Sequence, residues 1–213
     1  MSVLAQGTGS GQASGRIRAT KPIHPVFVRV SHWINAGAMI VMIGSGWEIH
    51  NAHPILPVGF PARMTLGEGL AEALRWHFAA MWVLAINGTL YVAYGIASGR
   101  LRRKLLPITP AEVLADVRAA LGGRLAHADL STYNAVQKLL YAGVIGAGML
   151  AVVSGLAIWK PVQFAPLTQA LGDFGMARIV HFAAMTAIVL FLVVHVAMAL
   201  LVPASLRAML RGH

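Results

Sequence analysis

The sequence predicts an all-α protein, an integral membrane four-helix bundle with both termini in the cytoplasm. Three observations carry that reading. Hydrophobic residues make up 57% of the 213 positions and charged residues only 11%, against about a quarter charged in an ordinary soluble domain. The mean hydropathy is +0.68. The apolar residues are gathered into four blocks, 26–47, 74–98, 133–159 and 176–202, each with the twenty or so residues a helix needs to cross a hydrocarbon core.

Taken in order, residues 1–22 are small, polar and rich in Gly and Ser. They lack the apolar core of a secretory signal, so they read as a disordered cytoplasmic tail, with the first span as the insertion signal. Trp33 and Trp47 lie near the ends of span one, Trp76 near the start of span two and Trp159 at the end of span three, as an interfacial aromatic belt requires. Between spans two and three, Thr109-Pro110-Ala111-Glu112 has the form of a capping box with proline at the first helical position. The stripe Val113, Leu114, Val117 and Leu121 follows it, fitting either an amphipathic helix on the cytoplasmic face or a short solvated helix. Gly143, Gly146 and Gly148 in span three favour close helix packing, or room for a porphyrin. Pro203 closes span four. Residues 206–213 form a second cytoplasmic tail. The pattern shows one transmembrane domain over 23–205, with no internal repeat and no separate soluble domain.

Charge fixes the expected sidedness. Thirteen of the seventeen Lys and Arg residues fall in the N-terminal segment, the middle loop with the start of span three, and the C-terminal tail. Only Arg63, Arg75, Lys160 and Arg178 fall on the other side. By the positive-inside rule, both termini and the middle loop face the cytoplasm. The formal net charge of +10 is thereby explained by membrane orientation, and no nucleic-acid partner is expected. With no cysteine in the chain, disulfides, cysteine-held iron–sulfur clusters, thiolate chemistry and covalent haem attachment through C-x-x-C-H are all excluded.

Nine histidines are present, and four lie inside spans: His32, His77, His181 and His195. His181 and His195 are fourteen residues apart, close to four helical turns, so they share a face about 21 Å apart along one axis. Ionisable residues at that depth are costly and usually functional. His32 opens span one and His195 ends span four, so both sit toward the cytoplasm. His77 opens span two and His181 opens span four, so both sit toward the opposite side. Each side thus receives two imidazoles from two helices, which is what a bis-histidine haem iron requires. The apolar stripe Ala184, Met185, Ile188 and Leu192 would line a haem slot, though it equally suits ordinary packing. Arg29, Arg75 and Arg178 lie two or three residues before His32, His77 and His181. They are candidates to pair with haem propionates, or to serve as interface anchors.

These residues resemble the bacterial cytochrome b561 group, which includes the b-type subunits of nickel–iron hydrogenases, formate dehydrogenases and thiosulfate-reductase-like enzymes. The resemblance rests on Arg29-x-x-His32-Trp33, on His77 opening span two, and on the His181/His195 pair, and it runs from about Pro25 to Pro203. It implies two non-covalent b-type haems with axial pairs His32/His195 and His77/His181, in a multi-pass protein of the bacterial inner membrane. It also implies quinone binding near the cytoplasmic haem, at Asn134 and Gln137 with Lys138 or Tyr141 assisting; alternatively Asn134 caps the helix and Gln137 is a polar interface residue. The implied function is electron transfer between a periplasmic redox partner, such as a molybdoenzyme catalytic subunit, and the quinone pool, with no bond-making of its own beyond quinone protonation.

The alternative is a stand-alone superoxide:quinone oxidoreductase of the same type. Such an enzyme needs a positive external funnel, whereas Arg63, Arg75, Lys160 and Arg178 are matched by Glu48, Glu68, Glu72 and Asp173, which favours a subunit. A metal transporter would place Asp or Glu within the spans, and their interiors have none. His50 and His53, in an external loop read as 48–73, could bind a metal or touch a partner, though two exposed loop histidines need no special role.

Overall fold

The computed structural model of the chain describes residues 24–99, 118 and 135–212, with 135–138 described by backbone alone. Among these residues every regular element is helical: α1 (Val26–Ala52), a 3₁₀ turn (Ala62–Met64), α2 (Leu70–Ala97), α3 (Ala135–Trp159), α4 (Ala165–Ala170), α5 (Phe174–Leu201) and α6 (Pro203–Arg211). Four of them, α1, α2, α3 and α5, are long and apolar enough to cross a membrane. Large apolar side chains such as Ile40, Ile86, Met149 and Leu190 are more than 60% exposed. That is the expected surface of a helix facing lipid rather than water. The capping box and stripe at 109–121 lie outside the described residues, Arg118 excepted.

Local chemistry sets the ends of the spans. Asp173 caps α5, its carboxylate accepting from the Met176 N–H at 2.6 Å. Glu72 reaches back to accept from the Glu68 N–H at 3.0 Å ahead of α2. Gly67 there has φ +103°, and a Cβ would lie 2.6 Å from the Ala73 nitrogen, so only glycine fits that turn. Val202 caps α5 and Pro203 opens α6, where a missing N–H does no harm. The residues read from sequence as a C-terminal tail are therefore largely helical.

Span one is longer than its hydropathy suggests. No breaker occurs before Pro54, and α1 continues through Glu48, His50 and Asn51. His50 is accordingly not an exposed loop residue: it is 5% exposed. Its ring stacks on Phe182 at 5.0 Å and meets Phe60 edge-on at 5.3 Å, and its Nε2 accepts from the N–H groups of Ile55 and Leu56. The external connection is folded down by the same residues. Asn51 exchanges two hydrogen bonds with the Phe60 backbone, at 2.8 and 2.9 Å, and Phe60 stacks on Trp47 at 4.7 Å. His53 remains exposed.

The close backbone packing runs within two hairpins, α1 along α2 and α3 along α5. The hairpins repeat short segments of one another at matching positions, which corrects the sequence reading of no internal repeat. His77-Phe-Ala-Ala-Met81 recurs as His181-Phe-Ala-Ala-Met185, and in each case the histidine is the eighth residue of a 28-residue helix. Ala73 and Ala177 are fully buried, as nearly are Ala80 and Ala184. On the partner helices, Gly37-Ala38 and Ser45-Gly46 recur as Gly146-Ala147 and Ser154-Gly155. The repeat escapes a hydropathy scan because lipid-facing positions of any two spans look alike. Beyond the His-Phe-Ala-Ala-Met segment, the residues that keep their identity are mostly small.

Candidate functional site

The site is built at the seam between the two hairpins. At the face where α1 begins and α5 ends, the rings of His32 and His195 lie with centroids 6.0 Å apart and planes at 60°. At the opposite face, His77 and His181 lie 6.4 Å apart with planes at 67°. The structure therefore brings the four span histidines together in the two expected pairs. Metal–imidazole bonds of about 2.0 Å, with roughly 1.2 Å from each nitrogen to its ring centre, separate two axial imidazoles by about 6.4 Å between centroids. Both separations suit a shared metal, and they are too long for a direct hydrogen bond between the two rings. Among the described residues no cluster of three or more His, Asp and Glu side chains forms a further metal site.

The pair His77/His181 is held by polar contacts that the sequence reading did not anticipate. Ser45 and Ser154 are fully buried. The Ser45 hydroxyl donates to the Val41 carbonyl at 2.6 Å and lies 3.0 Å from His77 Nδ1. The Ser154 hydroxyl donates to the Leu150 carbonyl at 2.6 Å and lies 3.1 Å from His181 Nδ1. With each hydroxyl proton committed to a carbonyl, the serine oxygen accepts, so the hydrogen-bond network assigns the imidazole proton to Nδ1. His181 Nδ1 also donates to the Ala151 carbonyl at 2.9 Å, and Met42 occupies the same place for His77. Nε2, across each ring, is left with a free lone pair, the tautomer a metal needs. Glycine follows each serine because the ring lies on the helix: a Cβ at Gly155 would sit 3.2 Å from His181 Cε1, and one at Gly46 3.5 Å from His77 Cε1. The repeated Ser-Gly dipeptide was the sequence signal for these residues.

The pair His32/His195 has aromatic neighbours instead. Trp33 meets His32 edge-on at 5.3 Å and Phe191 stacks on His195 at 5.5 Å. One residue before His32, Ser31 donates to Asn87 Oδ1 at 3.1 Å, while Asn87 Nδ2 donates to the Ser31 carbonyl at 2.8 Å and to Asn35 Oδ1 at 2.7 Å. This buried clasp ties α1 to α2 beside the site.

The other candidates are placed unequally. Arg29 donates through Nη2 to the Leu210 carbonyl at 2.6 Å, and its Nε–H is buried without a partner. An unfilled buried guanidinium donor fits a carboxylate such as a propionate. Arg178 donates to the His53 carbonyl at 2.5 Å, joining α5 to the end of α1. Arg75 is exposed. Tyr141 packs against Phe191 with centroids 6.0 Å apart. Asn134 lies outside the described residues, as do the side chains of Gln137 and Lys138.

Comparison with known proteins gives two matches. The profile of the prokaryotic cytochrome b561 family fits residues 23–212. The chain is also similar to the "Putative protein-methionine-sulfoxide reductase subunit YedZ1" of Azospira oryzae, at 49% identity over 191 residues, covering 90% of this chain and 96% of the relative.

Proposed function

The chain belongs to the prokaryotic cytochrome b561 family, and from that premise we propose that it is the dihaem electron-transfer subunit of a membrane oxidoreductase. Family membership makes it a membrane haem protein with b-type haem. The single observation that supports two haems is the pair of facing imidazoles at each end of α5, at 6.0 and 6.4 Å. In this reading His32/His195 and His77/His181 are the axial ligands. When bound, the two haems supply a one-electron relay between the membrane faces.

The remaining roles belong to the chain's own residues. Ser45 and Ser154 hold the Nδ1 protons and so keep Nε2 unprotonated and aimed across the seam. Arg29, with its unfilled Nε–H, takes a propionate, and Arg75 and Arg178 are candidates for the other haem. The positive-inside distribution supports a His32/His195 pair toward the cytoplasm and a His77/His181 pair toward the periplasm. Quinone binds on the cytoplasmic side near the start of α3, where Asn134, Gln137, Lys138 and Tyr141 are the candidates for carbonyl hydrogen bonds and proton transfer.

The relative's name supports a partner class, from which a direction follows in this reading. A subunit of a protein-methionine-sulfoxide reductase would receive electrons from the membrane. Quinol gives up two electrons and two protons to become quinone. At a periplasmic catalytic subunit, two electrons and two protons convert a methionine sulfoxide to methionine and water. The packed cap over α1, built on Asn51, Phe60 and Trp47, is the docking surface this reading uses.

Haem content tests the assignment. The purified protein should carry about two b-type haems by pyridine haemochrome assay. His32→Ala or His195→Ala should each remove one haem, and His77→Ala or His181→Ala the other. Full haem content in the four variants would overturn the ligand assignment. Purification in mild detergent should retain a catalytic subunit that reduces methionine sulfoxide; a chain that purifies alone and passes no electrons to such a subunit would overturn the partner.

A further inference from the structure

Among the described residues two buried side-chain nitrogens lack a hydrogen-bond partner, Arg29 Nε and His50 Nδ1. Both lie on α1, one near each of its ends. Arg29 is accounted for by a propionate on the His32/His195 side; His50 is not. His50 is 5% exposed, and its Nε2 accepts from the Ile55 and Leu56 N–H groups at 3.3 and 3.4 Å. The imidazole proton is therefore assigned to Nδ1, a donor buried with nothing to receive it. Buried donors of this kind are rare in native proteins.

The surroundings of His50 indicate what the donor meets. Four residues earlier, a Cβ at Gly46 would lie 3.5 Å from His77 Cε1. His50 thus stands one helical turn, about 6 Å, farther out on nearly the same face. Its ring stacks on Phe182 at 5.0 Å, the chain neighbour of His181. It therefore bridges the seam just outside both imidazoles. Arg178, one turn before His181, reaches the same mouth through the His53 carbonyl. The repeat argues against packing as the whole role. Aligning Ser45-Gly46 with Ser154-Gly155 sets His50 against Trp159, and Phe182 corresponds to Phe78. Trp159 and Phe78 keep the ring contact, at 5.5 Å. Any aromatic ring meets that need, so the stack does not explain an imidazole with a buried N–H.

We propose that His50 Nδ1–H donates to a propionate of the haem held by His77 and His181. The proposal rests on the dihaem function above and adds a residue to it. Propionates are carboxylates on one edge of the porphyrin, and their charge turns that edge toward the nearer water. For this pair the nearer water lies beyond the end of α1, where His50 stands. A buried N–H facing a carboxylate makes a charge-assisted hydrogen bond, and Arg178 supplies a positive charge at the same mouth.

Two substitutions separate the two nitrogens of the ring. His50→Gln keeps an acceptor at the place of Nε2 and removes the donor; His50→Asn keeps a donor at the place of Nδ1 and removes the acceptor. The detergent-solubilised full chain with its haems is mixed with apomyoglobin, and haem transfer is followed. His50→Gln should release haem from the His77/His181 site about tenfold faster, as loss of a hydrogen bond to a charged group predicts, with the other site unchanged. His50→Asn should stay within about twofold of the wild type. Reconstitution with haem dimethyl ester, which carries no carboxylate, should shrink the difference between wild type and His50→Gln to about twofold or less. An unchanged release rate in His50→Gln overturns the proposal, and so does a difference undiminished with the ester. Faster release from His50→Asn than from His50→Gln also overturns it, because His50 would then act only as the cap for Ile55 and Leu56. A protein whose haem content is unaffected by His77→Ala and His181→Ala fails at the earlier step and removes the dihaem function itself.

Discussion

The hairpins α1–α2 and α3–α5 share a frame and differ in what they hang on it. Where they meet at the His77/His181 face, they match contact for contact: serine to histidine, serine to the carbonyl four residues back, glycine under the ring. At the opposite face the equivalent positions diverge. His32 stands against Tyr141, His195 against Tyr91, and Phe191 against Asn87. The first hairpin fills its interior there with the Ser31–Asn87–Asn35 clasp, the second with the aromatic run Tyr141–Phe191–His195. A symmetric frame suits a group that sits on the symmetry axis and must be gripped equally from both sides. Asymmetry at the other face leaves imidazoles at His32 and His195 and phenols at the equivalent positions, which a strictly two-fold bundle would not allow.

If the frame is truly equivalent, its two serines should be interchangeable in effect. Ser45→Ala and Ser154→Ala each remove the acceptor at an imidazole Nδ1 while leaving a carbonyl, Met42 or Ala151, in place. Loss of such an outer contact typically weakens metal affinity 10- to 100-fold. Each variant should therefore lose haem from the His77/His181 site about tenfold faster, measured by transfer to apomyoglobin, with the other haem unaffected. A large effect from one serine and none from the other would break the comparison at its strongest point.

Much of this was legible from sequence. The four spans, the histidine depths and their pairing follow from hydropathy, helical rise and charge count, because a bilayer forces side chains into register with depth. His50 was misread because hydropathy falls off at Glu48 while the helix goes on; a polar residue can end an apolar run without ending a helix. The repeat was missed because its shared segments, His-Phe-Ala-Ala-Met, Gly-Ala and Ser-Gly, are short, and the lipid-facing positions between them look alike in any two spans. Ser45 and Ser154 carry no charge, and the Ser-Gly dipeptide they share gains a role only once an imidazole is placed 3.0–3.1 Å away.

The asymmetric face has its own test. Asn87→Leu removes the clasp between α1 and α2 at the level of His32, where the second hairpin has Phe191 and no such network. Interhelical hydrogen bonds in membranes average about 0.6 kcal/mol and reach about 1.7. Here Ser31 and Asn35 are left without their partner, so a loss of about 1–2 kcal/mol is expected, read as a lower midpoint in denaturation of the folded protein by SDS. Because the clasp sits one residue from His32, a haem held by His32 and His195 should also titrate over a broader potential range. Phe191→Leu should leave that stability unchanged. Equal destabilisation by both would mean that the two hairpins differ there in composition but not in physics.

The smallest expected effect is also the sharpest probe of how closely the frame is duplicated. Gly46 and Gly155 occupy the same position, yet a Cβ would meet His77 Cε1 at 3.5 Å and His181 Cε1 at 3.2 Å. The first distance is ordinary van der Waals contact; the second requires the ring to yield by a few tenths of an ångström. A ring clamped at Nδ1 by both Ser154 and the Ala151 carbonyl can yield only by tilting about those bonds. Gly155→Ala should thus change the angle between the two axial imidazoles and shift the low-field electron paramagnetic resonance line of that haem. Gly46→Ala should leave the line in place, and both variants should keep two haems. Identical shifts would show the two rings to be equally tight, and the duplication closer than these contacts allow.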